Sequence, residues 1–347
     1  MSSIVEIRVG DKIFKELISF TLVKSMLSLS GAVIFEVTDF TKEDKKFIYI
    51  GDSFTVSING TSTMIGIIET IQYSSSDKQS KLIISGRDNG QIIDSCWGRV
   101  PSEWKNITIR SLIAELCTPF GITVISEESA LSLTSTLVKS FSISGREKVG
   151  DAIRRICVEN CIIPFSYGDK NLTLTAGTIK NFSLDTIKDA NVLETTIKDT
   201  SVDRYGTYIV KGTGYPDQNK LLVDFVQPSS KITDSIIDVN KTNIILSDIE
   251  TDSGKCTSRA YFDKNIKSAL ATAEEYTIKN IVQSNDKPWN INTIITVIDY
   301  LGENSSKLIC EIRLQYNKDS QCETSMTVVH RDAFTTKNVQ IKGKFSR

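Results

Sequence analysis

The chain has a single histidine, His330, in the run HRDAF at 330–334, and that bounds the acid–base chemistry open to it. Both the Ser-His-Asp and the Cys-His arrangement need an imidazole to carry the proton. No nucleophile motif accompanies His330, so it reads as a packed or solvated residue at a strand end. Cys157 and Cys161 are spaced as neighbours one helical turn apart and could share a metal. With no third or fourth soft ligand near them, they read as one face of a helix. Glu127-Glu128 and Glu274-Glu275 are carboxylate pairs, but adjacent side chains diverge on either type of element, whereas glycoside hydrolysis needs two carboxyls facing across a cleft. The run Gly212-Thr213-Gly214-Tyr215-Pro216 lacks the next glycine and the helix N-terminus that would hold a phosphate, so it reads as a strand-end turn. No catalytic, cofactor-binding or metal-binding residue is assigned, and no cofactor is expected.

Composition agrees with a chain that builds cores. Its 347 residues exceed what one core usually organises, which predicts two or three domains. The balance of 41 basic against 42 acidic residues leaves no global charge for gripping nucleic acid or an anionic membrane. The segment from Met1 to Glu6 has neither the charged nor the apolar part of a secretory leader, and no apolar run approaches membrane length. The expectation is synthesis in the cytoplasm without stable membrane insertion. In that setting the Asn-x-Thr triplets at Asn59, Asn106 and Asn171 are not glycan sites. Trp104 and Trp289 each precede a structured run and read as domain anchors.

The elements that must position these residues follow from periodicity. Residues 4–9 and 13–24 flank Gly10-Asp11, and residues 53–58 alternate before Asn59-Gly60, so residues 1–90 read as hairpins of a small barrel or sandwich. Ile65, Ile67 and Ile71 carry the return strand, with Glu69 breaking the stripe. In residues 91–180 the period changes. Ile109, Leu112, Ile113 and Leu116 mark one helix, Val149, Ala152, Ile153, Ile156 and Cys157 a second, and residues 164–175 a hairpin turning at 168–171. Strands return at 192–212 and 294–330, with a turn at Asn317-Lys318-Asp319-Ser320. Between them Ile266, Ala269, Leu270, Ala273, Thr277 and Ile281 form a stripe that predicts a helix over 258–282. The fold class is therefore β-rich α+β and multidomain. The division is 1–90, a first β-domain; 91–180, a small α+β domain; 181–213 with 288–347, a second β-domain; and 214–287, a helix-containing insertion.

The order of landmarks also resembles a known family. SGRDNGQIIDS at 85–95, WKNITIRSLIAELCTPFGITV at 104–124, Gly145 to Ile156 followed by GDKNLTLT, VLETTIKDTSVDRYGTYIVKG at 192–212, a helix beginning near Arg259, PWNINTIITVIDYLG at 288–302 and HRDAF are similar, in order, to the Mu-type tail protein P, or baseplate hub, family. Arg146 and Ile291 depart from it, where an acidic residue and a proline are usual; neither carries chemistry. The resemblance implies a homotrimeric hub of a contractile phage tail, similar in design to type VI secretion spikes. Its two tube-type β-barrel domains per chain would make a ring of six that adapts a hexameric tail tube to a trimeric central spike. It implies spike, tube and baseplate wedge proteins as partners, DNA only as passing cargo, and the virion baseplate as location. A receptor- or carbohydrate-binding tail protein is the alternative; it would cluster exposed aromatics, and this chain spreads its three tryptophans. A cell-wall hydrolase would need a catalytic constellation.

The seven cysteines (Cys96, Cys117, Cys157, Cys161, Cys256, Cys310 and Cys322) are odd in number and scattered, and cytoplasmic synthesis keeps thiols reduced. Thiol titration of the denatured, unreduced protein is expected to find seven free groups; a lower value would show a bridge.

Overall fold

Asn59 and Gly60 both adopt positive φ, 49° and 77°, as a two-residue turn with the twist of its flanking strands requires. The structure is a computed structural model that describes residues 4–38, 48–75, 80–98, 102–143, 145–177, 181–188, 191–213, 227–299, 302–318 and 322–345. In the first block, β1 (Val5–Val9) and β2 (Lys12–Phe14) form a hairpin, followed by β3 (Leu17–Ser25), β4 (Ala32–Thr38), β5 (Ser53–Ile58), the long β6 (Thr61–Ser75) and β7 (Ser80–Asp88). Alternation sends Phe20, Leu22, Phe35, Phe54, Val56 and Ile84 inward, all buried.

The second segment holds α1 (Gly90–Ser95), β8 (Ser102–Thr108), α2 (Ile109–Cys117), β9 (Thr123–Ser126), α3 (Leu131–Thr134), β10 (Leu137–Ile143), α4 (Val149–Glu159), β11 (Ile163–Phe165) and β12 (Asn171–Thr175). The Thr108 hydroxyl accepts from the Ser111 N–H at 3.2 Å and starts α2, and Gly121 at φ 66° takes the chain out of the turn that follows it. The apolar faces of α2 and α4 share one core.

The third segment contains β13 (Phe182–Ile187), β14 (Val192–Ile197), β15 (Thr207–Thr213), β16 (Ser229–Thr233), β17 (Thr242–Glu250), α5 (Ser253–Ala271), β18 (Glu274–Lys279), β19 (Thr293–Ile298), β20 (Asn304–Asn317) and β21 (Glu323–His330). Here the helical reading needs correction. Asp252 caps α5 by accepting from the Lys255 N–H at 2.8 Å, so the helix starts before residue 258. It ends at Ala271, and residues 274–279 bury alternate positions, Glu274, Tyr276 and Ile278, as a strand. A β-branched, aromatic run that pairs on both sides overrides a short coincidence with helical spacing. Pairing also crosses two expected boundaries. β15 joins β16 and β17 in a separate three-stranded sheet, and β18 lies in the main sheet between β14 and β21. The expected turn at 317–320 lies partly outside the described residues.

Among the described residues the main sheet has thirteen strands and contains an internal duplication. Its first series runs β2-β1-β5-β6-β7-β4-β3 and its second β13-β19-β20-β21-β18-β14. Matching β5, β6, β7, β4 and β3 to β19, β20, β21, β18 and β14 preserves neighbour order, and every pair in both sets is antiparallel. The register matches as well. The row Thr21, Ile34, Ser85, Thr70 across β3, β4, β7 and β6 corresponds to Thr196, Glu275, Thr327, Glu311 across β14, β18, β21 and β20. Each row follows a bulge by one residue in the long strand, at Glu69 and at Cys310, and by three in the edge strand, at Ile18 and at Leu193. The series differ at one end: β1 is antiparallel to β5, whereas β13 is parallel to β19.

Both series curl. Their end members β2 and β3 are joined by two residues, Lys15 and Glu16, and β13 and β14 by the four residues 188–191, and such links span at most about 3.5 Å per residue. Each sheet therefore bends back toward itself as an open barrel; among the described residues no ladder closes the seam between its end strands. The two barrels join where β3 pairs with residues 311–317 of β20, alongside β19 on the same edge. No helix among the described residues is long and apolar enough to cross a membrane.

Two buried glycines let the first barrel pack. A Cβ at Gly86 would lie 2.4 Å from the Ile67 carbonyl oxygen and 2.7 Å from the Phe54 ring, and Gly66 is equally confined. Gly86→Ala is expected to lose about 1–3 kcal/mol through overpacking, read as a lower urea midpoint at unchanged slope.

Candidate functional site: the interdomain contacts

The residues that could have done chemistry are placed in structural roles. His330 ends β21, and its Nδ1 accepts from the Asp332 N–H at 3.1 Å; burial lowers its pKa. Cys157 lies in α4, but Cys161 lies past its end at φ 57°, and the two enter different cores. The single helix face expected for them is thus corrected: the chain leaves the helix in left-handed geometry between them. Glu274 and Glu275 diverge as strand neighbours. Glu274 is buried, accepting from Lys307 Nζ at 2.7 Å and from the Tyr276 hydroxyl at 2.8 Å, while Glu275 is exposed. Gly212 lies within β15, where its N–H donates to the Pro228 carbonyl at 2.7 Å; residues 214–216 lie outside the described residues. Trp104 donates to Glu115 at 2.7 Å and packs on Phe141, and Trp289 is buried in the main core. Asn59 forms the β5–β6 turn, Asn106 has φ 51° within β8, and Asn171 begins β12.

The polar groups with the most perturbed surroundings lie where the modules meet. Lys24, on the inward face of β3, is buried beside Asp88 at the end of β7. Asp88 accepts from the Gly31 and Gly90 N–H groups, both at 2.9 Å. Burial outweighs these bonds and pushes its carboxyl up to about 6. Burial likewise brings the Lys24 ammonium down to about 8, against the pull of Asp88 and Asp169. The tip of the β11–β12 hairpin seats on this pair. Gly168, at φ 89°, accepts from the Ile65 N–H at 2.7 Å through its carbonyl, and a Cβ there would lie 2.9 Å from the Thr63 oxygen and 3.0 Å from Lys24 Cε. Lys24 Nζ reaches Asn290 of the second β-block at 3.4 Å, so one side chain lies where three modules meet.

Further buried polar contacts hold the remaining junctions. Asn292 Nδ2 donates to Glu127 at 2.8 Å and to the Tyr167 hydroxyl at 2.6 Å, and Tyr167 donates to Glu127 at 3.0 Å. Arg204 donates through Nε to Asp234 at 2.8 Å and through Nη2 to the Ile341 carbonyl at 2.9 Å, while Ser268 of α5 donates to the same carboxylate at 3.1 Å. The Ser247 hydroxyl donates to Glu159 of α4 at 2.7 Å. These groups fix the orientation of one module on another, and none is arranged as a nucleophile with its base. No group of three or more potential metal ligands occurs among the described residues.

Sequence reasoning missed Lys24, although its signal was present. In LISFTLVKS the inward positions are Leu17, Phe20, Leu22 and Lys24, so a period of two places the lysine in the core. Arg204 and Asp234 sit in irregular chain, where no period marks the inward side.

Residues 4–88 match the family described as Mu phage baseplate assembly protein GpP-like, N-terminal, and residues 89–176 match baseplate hub protein gp44-like, second domain. The baseplate hub protein gp44 of Escherichia phage Mu is 23% identical over 345 residues, covering 96% of this chain and 89% of that protein. Residues 4–176 thus carry two successive domains of the Mu-type phage baseplate hub family. The hub is also similar in fold to the crystal structure of the prophage MuSo2 43 kDa tail protein from Shewanella oneidensis, with a TM-score of 0.81 at 23% identity over 96% of this chain and 99% of that one. A tail protein from Neisseria meningitidis MC58 has a TM-score of 0.81 at 16% identity, over 97% and 98% of the two chains. The hub is thus a baseplate protein of a phage tail, and the interdomain contacts are what make its modules one body.

Lys24 gives the junction a signature in pH. Stability from its lowered pKa is fully present above the ordinary 10.5 and is lost as pH falls through about 8; the raised pKa of Asp88 acts oppositely, its stability being lost as pH rises from 3.8 through about 6. Lys24→Met removes the first effect. Between pH 7.5 and 10 the wild type is expected to gain up to about 3 kcal/mol relative to this variant in urea unfolding. Parallel pH profiles would show that Lys24 is not buried as a cation.

Proposed function

We propose that the hub works by assembly and not by turnover: three copies form a ring of six barrel blocks that joins a sixfold tail tube to a threefold central spike and encloses a channel for DNA at ejection. The observation that carries this reading is the duplication, in which strand order, register and two bulge positions recur within one chain. A wall made twice per chain is what a ring with double the symmetry of its chain count requires. The contacts at Lys24, Asn292 and Arg204 support the same reading, because a part that transmits force between tube and spike must keep its modules fixed. In the accompanying division, residues 1–90 and the second β-block, with β18 counted in it, are the two wall units; residues 91–180 buttress them, and β15 to β17 with α5 form the insertion. Spike and tube proteins are the partners, and DNA is transient cargo.

Light scattering coupled to size exclusion is expected to give three times the 38.6 kDa chain mass, and electron microscopy a threefold ring with a central hole. A monomer or dimer at high concentration, with the spike protein present, would refute the ring.

A further inference from the structure

Three modules enclose a cavity of about 370 Å³ beside the Lys24 junction. Its walls are β3 and the start of β6 from the first barrel, the β11–β12 hairpin tip, and residues 283–290 of the second block. That size suits a residue-sized ligand, since small-molecule sites fall at about 300–1,000 Å³. Lys24 and Trp289 are its buried members, 2% and 4% exposed, while Thr61, Ser62 and Lys287 are exposed at its rim.

The buried donors of this cavity have capacity to spare. An ammonium carries three N–H bonds. Among the described residues Lys24 Nζ makes one hydrogen bond, to Asn290 Oδ1 at 3.4 Å, which is long for a charged donor, and that oxygen also accepts from the Ile291 N–H at 3.1 Å. The Trp289 Nε1–H is buried and has no partner among the described residues. Buried donors are normally paired, so an orphan here points to a ligand. The nearby carboxylates are engaged elsewhere: Asp88 holds the Gly31 and Gly90 amides, and Asp169 accepts from the Asn171 backbone and side-chain N–H groups at 3.0 and 2.7 Å.

We propose that this cavity binds a carboxylate, held by the Lys24 ammonium and the Trp289 indole N–H, with its apolar stem against Ile65 and Pro288. A monoanion matches one buried ammonium, whereas a phosphate dianion would set two charges beside Asp88 and Asp169. Lys287 at the rim draws an anion toward the mouth. The lowered pKa of Lys24 shows that Asp88 and Asp169 do not offset its burial, which a bound carboxylate would help to do. All the walls come from one chain, so the inference stands apart from the ring.

Full-length protein labelled with nitrogen-15 tryptophan has three indole signals, and Trp289→Phe identifies one by its loss. With sodium propionate at pH 7 and constant ionic strength, the Trp289 signal is expected to shift and saturate while those of Trp97 and Trp104 stay in place. Lys24→Met should weaken binding by about tenfold or more, as loss of a charged hydrogen bond implies. Raising the wild type to pH 9, where an ammonium of pKa about 8 is largely neutral, should weaken it about tenfold with no substitution. Sodium phosphate should bind more weakly than propionate. A free acid and an acidic side chain of a neighbouring protein present the same group, and N-acetylglutamate amide separates them: binding tighter than propionate assigns a protein side chain, and weaker binding a free acid. No saturable shift in the wild type, undiminished binding in Lys24→Met or at pH 9, or phosphate binding as tight as propionate would overturn the proposal.

Discussion

A β-strand edge must give its amide and carbonyl groups to something, and in this hub that requirement is met by joining two barrels through one ladder. Among the described residues β3 has only β4 inside its own barrel, and its other edge is completed by the lower half of β20, a strand too long for its neighbour β19 to cover. The bulge at Cys310 lies where β20 passes from one neighbour to the other. Much of the remaining architecture follows from that junction. The second segment leaves the first barrel at β7 and returns at β13, and Lys24 lies on β3 itself, so the buried charge, the hairpin tip and the Asn290 loop gather beside the ladder.

Burying Lys24 and Asp88 at neutral pH is unfavourable for both groups, which makes them poor sources of stability. Their geometry nonetheless admits few alternatives, since Asp88 holds two backbone amides at the turn into α1 and Gly168 can approach Lys24 only because it lacks a side chain. Apolar surfaces tolerate sliding, whereas a carboxylate between two fixed N–H groups does not. The junction is therefore defined by its polar groups and made adhesive by the apolar core around them.

Local order was legible in the sequence. Asn59-Gly60 announced its hairpin because positive φ limits the choice of residues, and α2 and α4 announced themselves because their apolar stripes face one shared core. The α5–β18 boundary was not, because Ala273 and Thr277 continue a helical spacing by chance while the alternation of Glu274, Tyr276 and Ile278 shows only once the charge on Glu274 is seen to be buried against Lys307. A duplicated β-architecture could be suspected from the two strand-rich ends, but its register could not. Thr21, Ile34, Ser85 and Thr70 correspond to Thr196, Glu275, Thr327 and Glu311, and a ladder constrains backbone geometry far more than side-chain identity. The interdomain junction likewise joins residues more than a hundred positions apart, beyond the reach of any local pattern.

The connection between the last two members of each repeat differs greatly. In the first barrel β3 reaches β4 through six residues, Met26 to Gly31; in the second, β14 reaches β18 only after β15, β16, β17 and α5. In a ring of three such chains, a body resting on the walls meets six nearly equal surfaces, while a body reaching the inserted sheet meets three. In the proposed ring one polypeptide would thus write two periodicities into the same circumference, the finer in its ladders and the coarser in its loops, and a neighbour's reach would decide which of them it reads.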